Sequence, residues 1–354
     1  MSDEAYLKLR NFLDQFPLGY PETPSGVEVK ILKRLFTEEE ARTAILLTHT
    51  PETATRIAKR NKLNEEDLTE KLESMSKKGL IFRIRREGKT LYNSAPFMIG
   101  LYEYSVKIID NDLAKLFKEY YDIAYLDEMG ASNVPGFKIV PIEETIETDT
   151  ILLPYQMLKE SIRNSRVISV AECICRKESR INGEGCDHPI ETCLSFGIAA
   201  EYYIENGMGR EITAEEAIKI VEEADQSGLV HASANAKHLS NICNCCPCCC
   251  ASMKGMIKFG HDKQKYMNAI FESIIDQEAC TGCSSCVDRC PVKAITVDDY
   301  AIVDRDLCLG CGLCASACSE EAIVLEPRKD GVEPFNRVFE MGMAIIKGKR
   351  NSSQ

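Results

Sequence analysis

The sequence predicts an α+β chain of several domains. Three observations predict it. The first hundred residues read as three helices followed by a strand pair, the middle carries ten cysteines in no standard spacing, and near the C-terminus a cysteine pattern repeats at a constant offset of 28 residues. At 354 residues the chain is long enough for two or three domains with packed cores. The expected division is a helical domain over 1–135, an α/β cysteine-rich module over 136–270, a βαβ repeat over 271–330 and a C-terminal helix and tail over 331–354.

Residues 1–25 contain Pro17, Pro21 and Pro24 and predict an irregular lead-in. Regular structure is expected from Val27, where Val29, Leu32, Leu35 and Phe36 keep helical spacing. Thr37 with Glu40 three residues later is a capping box for a second helix. Pro51 breaks the chain before a short helix through Ile57 and Ala58. Asn64 then caps a helix with Leu68, Leu72 and Met75 on one face, ended by Gly79. Leu80 to Arg86 alternates as a strand, Glu87-Gly88 turns it and Lys89 to Tyr92 returns. The stretch TATRIAKRNKLNEEDLTEKLESMSKKGLIFRI resembles a winged helix-turn-helix domain, in which the third helix reads DNA and the hairpin touches the backbone. Residues 26–98 hold 15 Lys and Arg against 11 Asp and Glu, a net of +4, which leaves −16 of the total −12 for the rest. The candidate recognition helix opens with Glu65-Glu66-Asp67, which repel phosphate. Protein contact or homodimerisation is therefore the favoured use of this module over DNA binding. Residues 97–128 are expected to continue as helix, broken or recapped at Asn111-Asp112, with a Tyr and Phe stripe serving as core, and 130–141 as a linker holding Pro135 and Gly136.

In the middle, Arg166 to Arg176 reads as a buried strand that places Cys173 and Cys175 on one face. Pro154-Tyr155 precedes a helix through Leu158 and Ile162. Cys186 and Cys193 lie in or after a loop holding His188 and Pro189. Helices are expected over 192–206 and 214–226, with Leu229-Val230-His231 as a strand beside the first. Then come six thiols in eight residues: Cys243, Cys245, Cys246, Cys248, Cys249 and Cys250. So many thiolates repel unless a cation neutralises them, so the ten cysteines predict a metal centre. Their softness excludes Mg and Ca and favours a third iron–sulfur cluster, with zinc as the alternative. Cys175, Cys186 and Cys193 are the leading ligands; strand parity does not choose among the six. His188 and His231 read first as polar core residues. Arg176 and Lys177 read equally as charges that tune a cluster or as a solvated pair. The pattern CICRKES…GCDHPIETCLSFG…GLVHASAN…ICNCCPCCC, over about 140–325, resembles ferredoxin-type proteins of anaerobic bacteria and archaea, in which such a module precedes a two-cluster domain. The clump 243–250 resembles the cysteine-rich sites of heterodisulfide-reductase-type proteins.

The repeat reads Cys280-x₂-Cys283-x₂-Cys286-x₃-Cys290-Pro291 and then Cys308-x₂-Cys311-x₂-Cys314-x₃-Cys318. Gly282 falls on Gly310 and Ala294-Ile295 on Ala322-Ile323. This is the bacterial spacing for [4Fe–4S] ligation, each fourth cysteine being expected at the start of a short helix. Zinc sites pair C-x₂-C knuckles rather than triples. The stretch resembles the bacterial two-cluster ferredoxin domain, with its ferredoxin-like βαβ repeat. The resemblance implies one cluster on Cys280, Cys283, Cys286 and Cys318 and another on Cys308, Cys311, Cys314 and Cys290. Ser319 stands where the first copy has Pro291, which is not a ligand. Asp298-Asp299 reads as a turn, and Phe335 to Lys347 as a helix before a polar, frayed end.

Met-Ser-Asp-Glu-Ala-Tyr shows neither a basic n-region nor an apolar h-region, so the 18 cysteines predict metal rather than disulfides and a cytoplasmic location. No apolar run approaches a membrane span. The acidic balance argues against nucleic acid as the main partner and suits basic patches on redox proteins. The expected function is passage of low-potential single electrons to or from a larger oxidoreductase, as a component of such a system. The alternatives are an iron–sulfur redox sensor controlling a DNA-binding head, and a reductase with a catalytic cluster in the module.

Overall fold

The computed structural model of the chain describes residues 3–146, 157–258, 260 and 262–352. Its first helix, α1 (Glu4–Leu13), occupies the stretch expected to be irregular and buries Ala5, Leu9 and Leu13 at four-residue spacing. The prolines follow this helix, and a proline breaks only the helix it sits in. Next come α2 (Val27–Leu35), α3 (Glu38–Ala44), α4 (Ala54–Asn61) and α5 (Glu65–Lys77). Both halves of the Thr37–Glu40 capping box form, a contribution of about 1 kcal/mol. The Asn64 side chain accepts from the Asp67 N–H, and Gly79 at φ 79° follows the helix end. β1 (Ile81–Arg86) and β2 (Lys89–Ser94) pair antiparallel about Glu87-Gly88. The expected order of helices and hairpin is thus present.

Residues 97–128 break at Asn111, where a break or recap is expected, and also earlier. Met98, Ile99 and Gly100 leave helical geometry, Ile99 at φ 51°. The chain resumes as α6 (Tyr102–Tyr104), α7 (Asn111–Tyr120), which the Asp110 carboxylate caps, and α8 (Leu126–Met129). Pro96 has no N–H to bond, and Asp110 competes for the backbone, so helical periodicity survives while continuity does not. The aromatic stripe packs as core: Phe97 meets Tyr120 and Tyr125, and Tyr102 meets Phe117.

The middle of the chain builds one seven-stranded sheet. Its elements are β3 (Phe137–Ile139), α9 (Leu158–Arg163), β4 (Ile168–Glu172), α10 (Ile174–Ile181), β5 (Glu191–Phe196), α11 (Ile198–Glu205), β6 (Arg210–Ile212), α12 (Ala214–Gln226), β7 (Val230–Ala234), β8 (Asn241–Cys245), α13 (Ala251–Lys258) and β9 (Met267–Asn268). The strand order is β6-β4-β5-β8-β7-β3-β9. Every neighbouring pair is antiparallel except β3 with β9.

Four expectations change here. The expected linker contains β3, whose three residues are buried between β7 and β9. The expected helix 192–206 splits: 191–196 is a strand paired with β4 and β8, and Gly197 at φ 57° turns it into α11. Tertiary pairing overrides helical propensity in so short a run. β4 stops at Glu172, so Cys173 and Cys175 sit at the opening of α10 rather than along a strand. β7 does not lie beside β4; β5 and β8 stand between them. The Pro154-Tyr155 break lies outside the described residues.

The C-terminal part runs β10 (Phe271–Ile275), α14 (Ser285–Arg289), β11 (Ile295–Val297), β12 (Ala301–Val303), α15 (Leu313–Ser316), β13 (Ile323–Pro327) and α16 (Val338–Ser352). Strand, helix and strand recur in each copy. β10 pairs antiparallel with β13, and β11 with β12 about Asp298-Asp299. α16 continues through the tail expected to fray; Met341 and Ile345 are buried and Lys349 donates to the Pro17 carbonyl at 3.2 Å. One contiguous apolar core runs from Ala5 to Leu313 and includes residues of the helical part, the module and the C-terminal repeat. Among the described residues no helix is long and apolar enough to cross a membrane.

Candidate metal centres

The C-terminal loops bring eight cysteines into two sets of four. Cys280, Cys283, Cys286 and Cys318 line one small cavity, so the last cysteine of the second copy joins the first three of the first. Cys290 conversely neighbours Cys308, Cys311 and Cys314. Each fourth cysteine follows its short helix, Cys290 after α14 and Cys318 after α15, rather than opening one. The helix itself carries the third cysteine, and its end aims the fourth away at the other set.

The backbone around these loops needs unusual conformations. Gly282, Gly310 and Gly312 have positive φ, as does Ser284, which stands where the second copy has Gly312. A Cβ on Gly310 would lie 2.0 Å from the Phe271 carbonyl oxygen, so the loop passes directly over β10.

Donors point at the sulfurs. Ala301 N–H lies 3.4 Å from Cys280 Sγ, Ala294 N–H 3.2 Å from Cys290 Sγ and Gly310 N–H 3.4 Å from Cys308 Sγ. The Ser273 hydroxyl is 3.2 Å from Cys314 Sγ, a partner on β10 that no cysteine spacing reveals. Burial pushes the Cys314 thiol up to about 11 and Cys290 and Cys311 upward as well. Buried thiols with raised pKa bind a metal that takes up their charge more readily than they ionise alone. An all-thiolate set with amide and hydroxyl donors at the sulfurs, inside a shell of Ile275, Ile295, Val297 and Ile323, suits an iron–sulfur cluster.

The ten upstream cysteines also divide, six and four. In the sheet, Cys193 on β5 lies opposite Ala171 of β4, and Cys243 and Cys245 on β8 lie opposite Ala232 and Val230 of β7. Period-two geometry turns Cys243 and Cys245 to one face. Cys173 and Cys175 from the start of α10 and Cys250 before α13 close the group around a cavity of about 60 Å³, which Cys246 and Cys249 also border. The Cys193, Cys243 and Cys245 thiols are close enough to shift one another's titration, as are those of Cys173 and Cys175. Hydrogen bonds from Cys193 and Cys245 pull the Cys243 thiol well down.

Met98, Ile99 and Glu103 from the N-terminal part border the same cavity. Desolvation raises the Glu103 carboxyl to about 8, although the Gly100 N–H, 3.0 Å away, favours its charged form. Sequence carried no signal for Glu103, which lies seventy residues before the first cysteine.

The remaining four are Cys186, Cys246, Cys248 and Cys249, whose sulfurs all lie within 4.8 Å of one another. Cys186 therefore parts from Cys175 and Cys193, with which it was grouped. The loop between α10 and β5 carries it to the turn after β8.

Arg176, fully buried, touches both groups' surroundings. It donates to the carbonyls of Pro189 and Asn244 (2.9 Å for the latter) and lies 3.7 Å from Cys246 Sγ. A hydrogen bond from Cys249 and this cation bring the Cys246 thiol down to about 4. Lys177 pairs instead with Glu172. His231 is buried with Nδ1 2.6 Å from Asn244 Oδ1, a polar core pair, and the His188 carbonyl accepts from Arg180.

The profile of the 4Fe-4S binding domain family matches residues 273–296 and 301–324, one match for each copy. The C-terminal part is therefore a ferredoxin-like iron–sulfur domain. No curated protein and no solved structure matches the chain.

Proposed function

We propose that the chain is an electron-transfer protein that passes single electrons between a deep centre in its cysteine-rich module and a larger oxidoreductase. The observation that carries this reading is the crossed placement of Cys290 and Cys318, each beside the three loop cysteines of the other copy. Crossed ligation holds two [4Fe–4S] clusters close, one on Cys280, Cys283, Cys286 and Cys318, the other on Cys308, Cys311, Cys314 and Cys290. Such clusters, when bound, supply one-electron storage at low potential.

The chain's own residues give the path a direction. Cys283 is exposed, as are Thr281, Ser284 and Ser285, whereas Cys308 and Cys314 are buried. The first set thus faces a redox partner and the second faces inward. The six thiols of Cys173, Cys175, Cys193, Cys243, Cys245 and Cys250 hold a third iron–sulfur centre at the inner end. Six thiols exceed the four a cubane takes, and protonated Glu103 borders them. This favours a second reading in which the inner centre is the catalytic cluster of a reductase.

Anaerobic iron and sulfide quantitation with EPR of the reduced protein tests the proposal. At least about eight iron atoms per chain are expected, with interacting signals from the ferredoxin-like pair. Cys318→Ser should remove the cluster of the first copy and spare that of the second. About four iron atoms, or loss of the second-copy cluster alone, would sink the reading. Substrate-dependent reoxidation would select the reductase.

A further inference from the structure

We propose that Cys186, Cys246, Cys248 and Cys249 bind a single tetrahedral zinc ion, separate from every iron–sulfur centre of the chain. The sulfur spacing argues for one ion rather than a cluster. Cys186 Sγ lies 3.8 Å from Cys246 Sγ and 3.6 Å from Cys249 Sγ, and Cys249 and Cys248 are 3.8 Å apart. Four sulfurs about 2.3 Å from one zinc form a tetrahedron with edges of about 3.8 Å. A cubane has iron at four corners and holds its thiolates apart by its own body, so sulfurs near mutual contact leave it no room. The donor set is the closed Cys₄ of structural zinc sites, with no position left for substrate.

The surroundings suit such an ion. Four thiolates on a divalent cation carry a net charge of −2, and the buried Arg176 guanidinium 3.7 Å from Cys246 Sγ offsets part of it. Arg180 fixes the far ligand by donating to the carbonyls of Cys186 at 2.9 Å and His188 at 2.6 Å.

The site also has a structural task. Cys186, Cys246 and Cys249 pack on Ala224 and Leu229, where α12 turns into β7. Next to Ala224, Asp225 holds Arg289 and Ser316 of the ferredoxin-like domain. The ion would staple the 182–190 loop and the turn after β8 to the seat on which that domain rests. Cys246 and Cys249 also border the six-thiol cavity, so the ion would sit beside any cluster held there.

The test is metal analysis of the full chain, grown with zinc and purified anaerobically, with X-ray absorption at the zinc edge. The expected result is about one zinc per chain in a shell of four sulfurs at about 2.3 Å. Zinc should persist after oxidative destruction of the clusters, and C186S/C249S should lose it while keeping the cluster EPR signals. A wild-type chain without zinc, or a double variant that keeps zinc and loses a cluster signal, overturns the assignment. Should the variant not fold, cobalt substitution of the wild type decides. Tetrahedral thiolate–cobalt absorption displaced by zinc supports the site, and its absence refutes it. Iron counts read the clusters and zinc counts read this site, so the two can fail separately.

Discussion

Two side chains show how single residues set the properties of the centres. Ser273 donates or accepts at Cys314 Sγ 3.2 Å away, and at Cys308 at 3.8 Å. A hydrogen bond to a ligating thiolate favours the reduced, more negative cluster. Ser273→Ala should therefore lower the potential of the second-copy cluster by up to about 60 mV, the one-electron equivalent of about 1.4 kcal/mol. A redox titration that shows no shift would remove Ser273 from the circuit.

Glu103 acts through protons. Its carboxyl, at about 8 in the fold against an ordinary 4.5, keeps a proton that the unfolded chain has released. Over that interval the folded state binds more protons, so stability is complete below about pH 4.5 and falls as pH rises through about 8. Glu103→Gln should flatten this part of the stability curve relative to wild type, read by anaerobic thermal melts. Identical slopes for the two proteins would contradict the assignment.

At the scale of elements, the N-terminal hairpin is committed to its own chain. Arg83 is buried and pairs with Glu73 at 2.7 Å and with Glu205 of α11, while Arg85 pairs with the same two carboxylates. Tyr202 of α11 donates to the Ile81 carbonyl at 2.6 Å, and its ring packs on Phe82. Two hairpin charges that would meet a phosphate backbone are thus neutralised internally, and Glu65-Glu66-Asp67 open α5. We infer that this module serves as a docking element for the cysteine-rich sheet rather than as a DNA reader. Gel shifts at low salt should show no complex in either redox state. Arg83→Met should cost about 2 kcal/mol, below the 3–5 of a fully buried pair because Glu73 and Glu205 reach solvent. Chemical denaturation reads that cost, and an unchanged midpoint would show the contact to be incidental.

At the scale of the whole molecule, Asp225 at the end of α12 joins the module to the ferredoxin-like domain. It accepts from Arg289 at 3.2 Å and from Ser316 at 3.0 Å, while Arg289 also reaches the Gln226 carbonyl at 2.8 Å. Ile142 donates to the Cys311 carbonyl at 3.2 Å. On the proposed path, electrons would pass inward only while this seating holds. Asp225→Asn should weaken it by about 1 kcal/mol, raising hydrogen exchange across 285–318 and slowing reduction of the inner centre without changing metal content. Equal exchange in variant and wild type would mean that apolar packing alone seats the domain.

The sequence by itself determined the chemistry of the C-terminal part. The repeat, its glycines and the Asp298-Asp299 turn are local features, and thiolates three residues apart need only a tight loop to meet. It also determined the capping box, the α5 cap and the hairpin, which depend on neighbours within a few residues. Tertiary structure decided what distance along the chain conceals. The tertiary structure alone sorts the ten cysteines, because strand order sets Cys193 beside Cys243 and the loop before β5 carries Cys186 to Cys246, while Cys246 and Cys249 also border the cavity of the other six. It alone brings Glu103 to the cavity and Ser273 beneath Cys314. Likewise β3 and β5 are strands only because β7 and β4 are there to pair with them. A period-two pattern of three to six residues is too short to declare itself against helix or loop until a partner strand satisfies its N–H and C=O groups.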